Sequence, residues 1–225
     1  AEHHANIVPW HQLAERNGCR VEFVPLRDDF TFDTDQVRQA LERFRPKMFA
    51  FTAVSNVLGT KTPVTEWTSM AHAMGCQVLV DAAQAAPHQR VDVQAWDADF
   101  LVFSGHKVCG PTGIGVLYGK EKLLDAMPPF LGGGAMIHRV TTSGFEPAEL
   151  PEKFLAGTPP IVEAIGLQAA TEYLSQVGLE QIAAHEHGLC QRADAALRSI
   201  AGTRVIGPTP DLKAGIVSFH IDAVH

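Results

Sequence analysis

Cysteine is sparse and scattered: Cys19, Cys76, Cys109 and Cys190 form no C-x-x-C pair, which excludes a zinc ribbon and a dithiol redox motif. Four dispersed thiols in a chain of 225 residues suit a reducing compartment, so a cytoplasmic location is expected. Long apolar runs are lacking too. Uncharged stretches such as Met48–Thr60 fall far short of the roughly 18–20 apolar residues that a membrane span requires, and no membrane partner is expected. Positive charge is in the minority, with 18 Lys+Arg against 25 Asp+Glu and a formal net charge of −7. No basic cluster offsets that field, which repels polyanions, so nucleic acid is not expected as a partner. Two phosphate-loop signatures are also missing. There is no Gly-Lys-Ser/Thr, and Tyr118 occupies the position three after Gly115 where G-x-G-x-x-G needs a glycine.

What is present is a chain able to bury a substantial core, 46% apolar with a mean hydropathy of +0.02. Apolar runs rich in β-branched and aromatic residues alternate with segments of helical period, which predicts an α/β fold built on a mainly parallel sheet. Val21–Leu26, Met48–Val54, Gln77–Val80, Phe100–Phe103 and Gly115–Tyr118 are the expected strands. Asp33 or Thr34 can cap a helix whose Val37, Leu41 and Phe44 share one face. Thr62-Pro63 opens the next, with a capping hydroxyl and a proline at the first turn. Its apolar stripe is Val64, Trp67, Met70, Ala71 and Met74, and Gly75 can end it in a left-handed conformation.

Beyond Gly119 glycine and proline crowd residues 127–134 and 146–160, so loops are expected there. Ile161, Ile165, Ala169 and Tyr173 then mark a helix, Gly178 a break, and Ile182, Leu189, Ala193, Leu197 and Ile200 a further helix. Thr203–Ile206 and Ile216–Ile221 read as strands. A second, smaller lobe is expected to begin near residue 175. Ala1 stands at the mouth of a motif and the apolar run from Gly215 stops without a partner, so a chain truncated at both ends is expected.

Two strand ends carry chemistry. Val78-Leu-Val-Asp81 brings a carboxylate to the carboxyl end of a strand, where ligands of open α/β sheets bind, although a helix-capping aspartate has the same appearance. Phe100-Leu-Val-Phe-Ser104-Gly-His106-Lys107 repeats the layout with a lysine, which taken alone suits a solvated surface equally well. Together they supply what a pyridoxal phosphate enzyme needs: an amine to bond the cofactor covalently and a carboxylate to keep its ring nitrogen protonated. His185 and His187, at i,i+2, lie on different faces of a helix and call for no metal. Arg90, Arg139 and Lys153 are expected to be solvated.

Seven segments, in order, are Glu2-His-His-Ala-Asn-Ile-Val-Pro-Trp10, Ser55-Asn-Val-Leu-Gly59, Val80-Asp-Ala-Ala-Gln84, Phe103-Ser-Gly-His-Lys107, Gly110-Pro-Thr-Gly-Ile-Gly115, Gly132-Gly-Gly134 and Ala156-Gly-Thr-Pro159. In these the sequence resembles the class V aminotransferase-like enzymes of pyridoxal phosphate fold type I, and within them the cysteine desulfurase and selenocysteine lyase group. The resemblance implies that residues 1–174 belong to the cofactor-binding major domain and that 175–225 begin the C-terminal domain. It implies that Lys107 bonds pyridoxal 5'-phosphate and shuttles the α-proton, that His4 stacks on the ring and assists that transfer, and that Asp81 pairs with the ring nitrogen. Gln84 would bond the phenolic oxygen, and Asn56 that oxygen or the substrate carboxylate. Ser104 and His106 would hold the phosphate, and Thr158 would reach the phosphate of a neighbouring subunit in a homodimer.

The implied reaction converts L-cysteine to L-alanine, with sulfur leaving as a persulfide for an acceptor protein in iron–sulfur cluster supply. Selenocysteine lyase, epimerase or kynureninase-like activity shares the cofactor-holding residues, and a non-catalytic cofactor-binding scaffold is the competing reading of another class. Where the family usually has an aromatic and a glycine, this sequence has Cys109 and Ala82. None of its four cysteines matches the family's nucleophile, which is expected outside these residues together with the substrate-binding arginine.

Overall fold

The structure, a computed structural model, describes residues 1–222. Its centre is a four-stranded sheet in the order β1 (Met48–Thr52), β2 (Gln77–Asp81), β3 (Phe100–Ser104), β4 (Gly115–Gly119). The first three strands are parallel and β4 returns antiparallel on β3. Helices precede and link them: α1 (Val8–Asn17), α2 (Thr34–Phe44), α3 (Val64–Ala73) and the short α4 (Val93–Trp96). Each parallel pair is therefore joined by a helical crossover, as parallel pairing demands.

Local chemistry explains the elements. The Asp33 carboxylate accepts from the amides of Asp35 and Gln36 at 3.0 and 3.2 Å and so caps α2, whose Val37 and Leu41 are buried. On α3 the expected stripe is inside, with Val64, Trp67, Met70 and Ala71 buried. The Trp67 ring meets Phe32, Phe49 and Phe51 at centroid distances of 5.1, 5.8 and 5.3 Å. Thr62 does not cap α3. Its hydroxyl donates instead to the Thr52 carbonyl at 2.6 Å, because that carbonyl lies on the outer edge of β1 without a strand partner. Gly75 follows the helix at φ +74°, as expected.

Val21–Leu26 is not a strand. It has no ladder partner among the described residues, and Glu22–Pro25 line a shallow hollow with residues of α2. The region beyond Gly119 holds more order than its glycines and prolines suggest. After α5 (Glu121–Ala126) comes a hairpin of β5 (Ile137–Thr141) and β6 (Gly144–Pro147).

Then follow α6 (Ile161–Val177), the break at Gly178, α7 (Leu179–Arg198) and a second hairpin, β7 (Thr203–Ile206) with β8 (Ser218–Ile221). The expected stripe of α6 faces outward: Ile161, Ile165 and Tyr173 are exposed while Ala170 and Leu174 are buried. The helix is apolar on more than one side, and the inward side is chosen where Gly166 packs on Pro111 and Leu167 reaches Gly110. On α7 the buried pair is Cys190 and Asp194, with Leu189 exposed. His88, after β2, pairs with Glu186 of α7 at 2.7 Å, and Thr60 bridges to Lys213. No described helix is long and apolar enough to cross a membrane.

Candidate active site

Three parallel strands finish on one edge of the sheet. Thr52, Asp81 and Val102 are in register across β1, β2 and β3, so Asp81 lies beside the end of β1 and two residues short of the end of β3 at Ser104. This edge, beyond the carboxyl ends of parallel strands, is where α/β sheets receive ligands. Asp81 is buried, and one of its oxygens accepts from the Ala83 amide at 2.9 Å. Among the described residues no other donor meets the carboxylate, so its second oxygen is open. Gln84 is half-buried in the turn that follows.

Past Ser104 the chain winds into a tight 3-10 turn, Gly105–Val108, which carries His106 on the outside and Lys107 half-buried. Lys107 makes no ion pair among the described residues. The turn is closed by the Gly105 amide on the Ile114 carbonyl at 2.9 Å and by the Gly110 amide on the Gly105 carbonyl at 3.0 Å. A Cβ on Gly105 would sit 2.7 Å from Ile114 Cγ2, and one on Gly110 2.8 Å from the Gly105 carbonyl oxygen, so both glycines are demanded by close approach. Cys109 ends the turn at φ +62°, exposed to solvent.

Asn56 is carried by the turn after β1. There Ser55 Oγ accepts from the Val57 and Leu58 amides at 3.4 and 3.2 Å and donates to the Ala1 carbonyl at 3.0 Å. That last bond, with Glu2 Oε1 accepting from the Thr52 amide at 3.0 Å, brings the first turn to the same edge. His3 and His4 then separate in role. His3 Nδ1 accepts from the Ala5 amide at 3.1 Å and caps the turn, while His4 is exposed and makes no side-chain hydrogen bond among the described residues.

Burial pushes Glu2 above the ordinary carboxylate range. The Thr52 amide and Asn6 pull it back, and the charge of Asp81 adds to the upward push. Glu2 was not singled out by sequence reasoning. The signal that identifies it is the i, i+4, i+8 spacing of Glu2, Asn6 and Trp10 inside one motif, the spacing at which side chains meet along a helical turn.

The structure thus brings His4, Asn56, Asp81, Gln84 and Ser104 to one edge, with His106 and Lys107 on the turn that leaves it. Thr158 is not bonded to this group. It lies exposed on a loop whose Gly157 amide donates to the Gly134 carbonyl at 2.8 Å, so two of the seven segments meet there. Lys153 corrects an expectation: it is 6% exposed rather than solvated, its ammonium donating to the Asp125 carbonyl at 2.7 Å. His187 pairs with Asp211 at 3.4 Å. Another charge network, His72, Asp97, Asp99 and Lys120, stands at the opposite edge of the sheet, where β3 begins and β4 ends.

Known proteins agree with this architecture. A cysteine desulfurase of Synechococcus elongatus is 50% identical over 98% of the chain. A probable cysteine desulfurase of Streptomyces coelicolor is 46% identical over the whole chain, which covers 54% of that protein. The cysteine desulfurase of Haloferax volcanii is 45% identical, with 52% of its length covered. The chain therefore spans about half the length of these last two relatives and 35% of the first. Among solved structures, the apo cysteine desulfurase of Thermococcus onnurineus superposes with a TM-score of 0.95 at 39% identity, over the full chain and 56% of its own. The cysteine desulfurase CsdA of Escherichia coli gives 0.91 at 39%, over the full chain and 55% of its own. The fold is that of the fold type I pyridoxal phosphate enzymes. The Aminotransferase class-V family matches residues 1–225, and the chain belongs to that family, whose enzymes depend on pyridoxal 5'-phosphate.

Proposed function

We propose that the whole protein to which this chain belongs is a cysteine desulfurase, taking L-cysteine to L-alanine and handing the sulfur to an acceptor as a persulfide. The observation that carries the reading is the pairing of a buried Asp81 carboxylate with one open oxygen and an ion-pair-free Lys107 at the ends of adjacent strands. Relatives at 45–50% identity that are named cysteine desulfurases support it.

The residues fit pyridoxal phosphate on the structure's own terms. Asp81 keeps one oxygen free of protein donors among the described residues, so the carboxylate can accept from the ring nitrogen of the cofactor without giving up its bond to the Ala83 amide. Lys107 stands on a turn packed so closely that Gly105 and Gly110 cannot carry side chains. When bound, the cofactor supplies an electron-withdrawing ring that acidifies the substrate Cα–H bond.

This chain's residues do the rest. Asp81 holds the ring nitrogen protonated, since a carboxylate there favours the cation. Lys107 Nζ receives the α-proton and returns it. His4 covers the ring and assists that transfer, Gln84 donates to the phenolic oxygen, and Asn56 orients that oxygen or the substrate carboxylate. Ser104 and His106 bind the phosphate. Thr158 serves the neighbouring subunit, which its exposure on the loop and the exposed Phe130, Leu131 and Val162 support. The reading includes a homodimer, a sulfur-acceptor protein and a cytoplasmic setting suited to unpaired cysteines. It includes the division into 1–174 and 175–225, to which the separate β7–β8 sheet against α7 lends support.

The test is turnover of L-cysteine by the whole protein in the presence of a thiol reductant, which releases the persulfide sulfur as sulfide, with alanine and sulfide quantified together. Equal yields that vanish in Lys107→Ala are expected. Absence of alanine overturns the proposal and leaves a non-catalytic scaffold, and turnover that survives the substitution overturns the role given to Lys107.

A further inference from the structure

We propose that Glu2 is the positioning residue of this site: its carboxylate clamps the first turn, and with it His4, to the free edge of β1. The inference rests on the reading of His4 given above. It begins with the ladder. The Ala53 amide donates to the Asp81 carbonyl at 2.9 Å, and in a parallel pair successive residues point to opposite sides, so the Thr52 amide points away from β2. β1 is the outer strand of the sheet. An outward amide at a strand end has no backbone acceptor and must find another. Glu2 Oε1 is that acceptor, at 3.0 Å and fifty residues away in sequence.

The second carboxylate oxygen is committed as well. Glu2 Oε2 accepts from Asn6 Nδ2 at 2.6 Å, and Asn6 Oδ1 accepts from the Trp10 indole at 3.0 Å. Direction runs one way through this chain, from indole to amide to carboxylate and from backbone N–H to carboxylate. Only a side chain that accepts twice satisfies both donors. A glutamine would turn an NH2 towards one of them.

The clamp lies on either side of His4 in sequence and, among the described residues, leaves its ring unbonded, while His3 caps the same turn. Since Thr52 and Asp81 are register partners on strands about 4.8 Å apart, the clamp places His4 at the strand ends where Asp81 meets its ligand. The His4 side chain makes no hydrogen bond of its own among the described residues, so its place depends on its turn, which Glu2 ties to β1 beside the Ser55 Oγ bond to the Ala1 carbonyl.

The test uses the whole protein loaded with pyridoxal phosphate and compares Glu2→Ala, Glu2→Gln, His4→Ala and the Glu2→Ala/His4→Ala double variant. Two readouts are taken: kcat and KM for L-cysteine, and the visible circular dichroism of the bound cofactor. Losing charge-assisted hydrogen bonds is expected to lower kcat about 10- to 100-fold in Glu2→Ala with KM little changed. The cofactor's ellipticity should fall as it does in His4→Ala, and the double variant should be no slower than His4→Ala alone. Glu2→Gln, which keeps one acceptor, should lie between wild type and Glu2→Ala, and it carries the comparison if Glu2→Ala does not fold. Multiplicative effects in the double variant, or wild-type kcat and ellipticity in both Glu2 variants, overturn the proposal while leaving the role of His4 standing. A wild-type kcat in His4→Ala overturns both.

Discussion

The Asp81 carboxylate is held by the Ala83 amide two residues further along the chain, at 2.9 Å, through one oxygen only. This short tether ties the side chain to the turn that follows its strand. Asp81→Ala is therefore expected to slow removal of the substrate α-proton by about 10- to 100-fold, the worth of a charge-assisted bond, while pyridoxal phosphate dissociates only slightly more readily. Stopped-flow absorbance gives the first quantity and equilibrium titration the second. Deprotonation at the wild-type rate would remove Asp81 from the mechanism.

Gly105 stands where no side chain fits without a shift. An added methyl would meet Ile114 Cγ2 at 2.7 Å and the Ile114 carbonyl oxygen at 3.0 Å. The side chain can yield, but the backbone oxygen also accepts the bond that closes the Lys107 turn. Gly105→Ala is expected to lower cofactor affinity at least tenfold, about 1.4 kcal/mol, because the turn must shift. The melting temperature of the cofactor-free protein should fall as well, since overpacking a buried site costs about 1–3 kcal/mol. Fluorescence titration with pyridoxal phosphate decides it, and unchanged affinity would show that the turn absorbs the methyl.

Much of this was legible in the sequence for identifiable reasons. Strands β1 to β3 announce themselves because parallel strands are apolar nearly throughout, and Asp81 and Lys107 stand out because one ends such a run and the other follows one closely. What could not be read depends on partners far along the chain. Val21–Leu26 has strand composition and no strand beside it. Thr62 looks like a cap until the carbonyl of Thr52 is found competing for its hydroxyl. The inward face of α6 is decided by Pro111 and Gly110, fifty residues earlier. Glu2 belongs to a motif that was visible, yet its function needs Thr52.

The network at the far edge of the sheet makes an acid-labile joint. Burial alone pushes Asp99 up, but hydrogen bonds from Lys120, His72 and the Val78 amide outweigh it and hold the carboxyl below its usual range. A depressed folded-state pKa contributes stability that is complete above the unfolded value, about 3.9, and is lost as pH falls through the folded one. Between pH 5 and 3 the melting temperature of the wild type should therefore fall more steeply than that of Asp99→Asn. Parallel slopes would exclude Asp99 as the source.

Thiol reactivity divides the cysteines. Burial, assisted by the charge of Asp99, pushes the Cys76 thiol up to about 11, and burial likewise raises Cys190. Since the thiolate is the reactive form, brief treatment of the native protein with iodoacetamide should alkylate Cys19 and Cys109 and spare Cys76 and Cys190. Peptide mass spectrometry reads the pattern. Modification of Cys109, two residues from Lys107, should be slowed by prior loading with pyridoxal phosphate, whereas that of Cys19 should not.

Lys153 joins the loop of Thr158 to the rest of the chain. Asp125 is the penultimate residue of α5, where carbonyls have no partner within the helix. Lys153 Nζ supplies the missing donor at 2.7 Å and lies 5.6 Å from the centroid of the Phe154 ring. The Asp125 carboxylate, 4.0 Å away and 78% exposed, adds little. Lys153→Met keeps the buried stem and removes only the donor, so the substitution isolates the bond. Unfolding in urea should lose about 1.5–3 kcal/mol, the worth of a hydrogen bond from a charged donor. A loss under about 0.5 kcal/mol, the range of ordinary surface changes, would mean that water replaces the ammonium. Because Gly157 is bonded to Gly134 within the same loop, the loosened segment should also become cleavable by proteases between Lys153 and Thr158, which limited proteolysis of wild type and variant side by side would reveal.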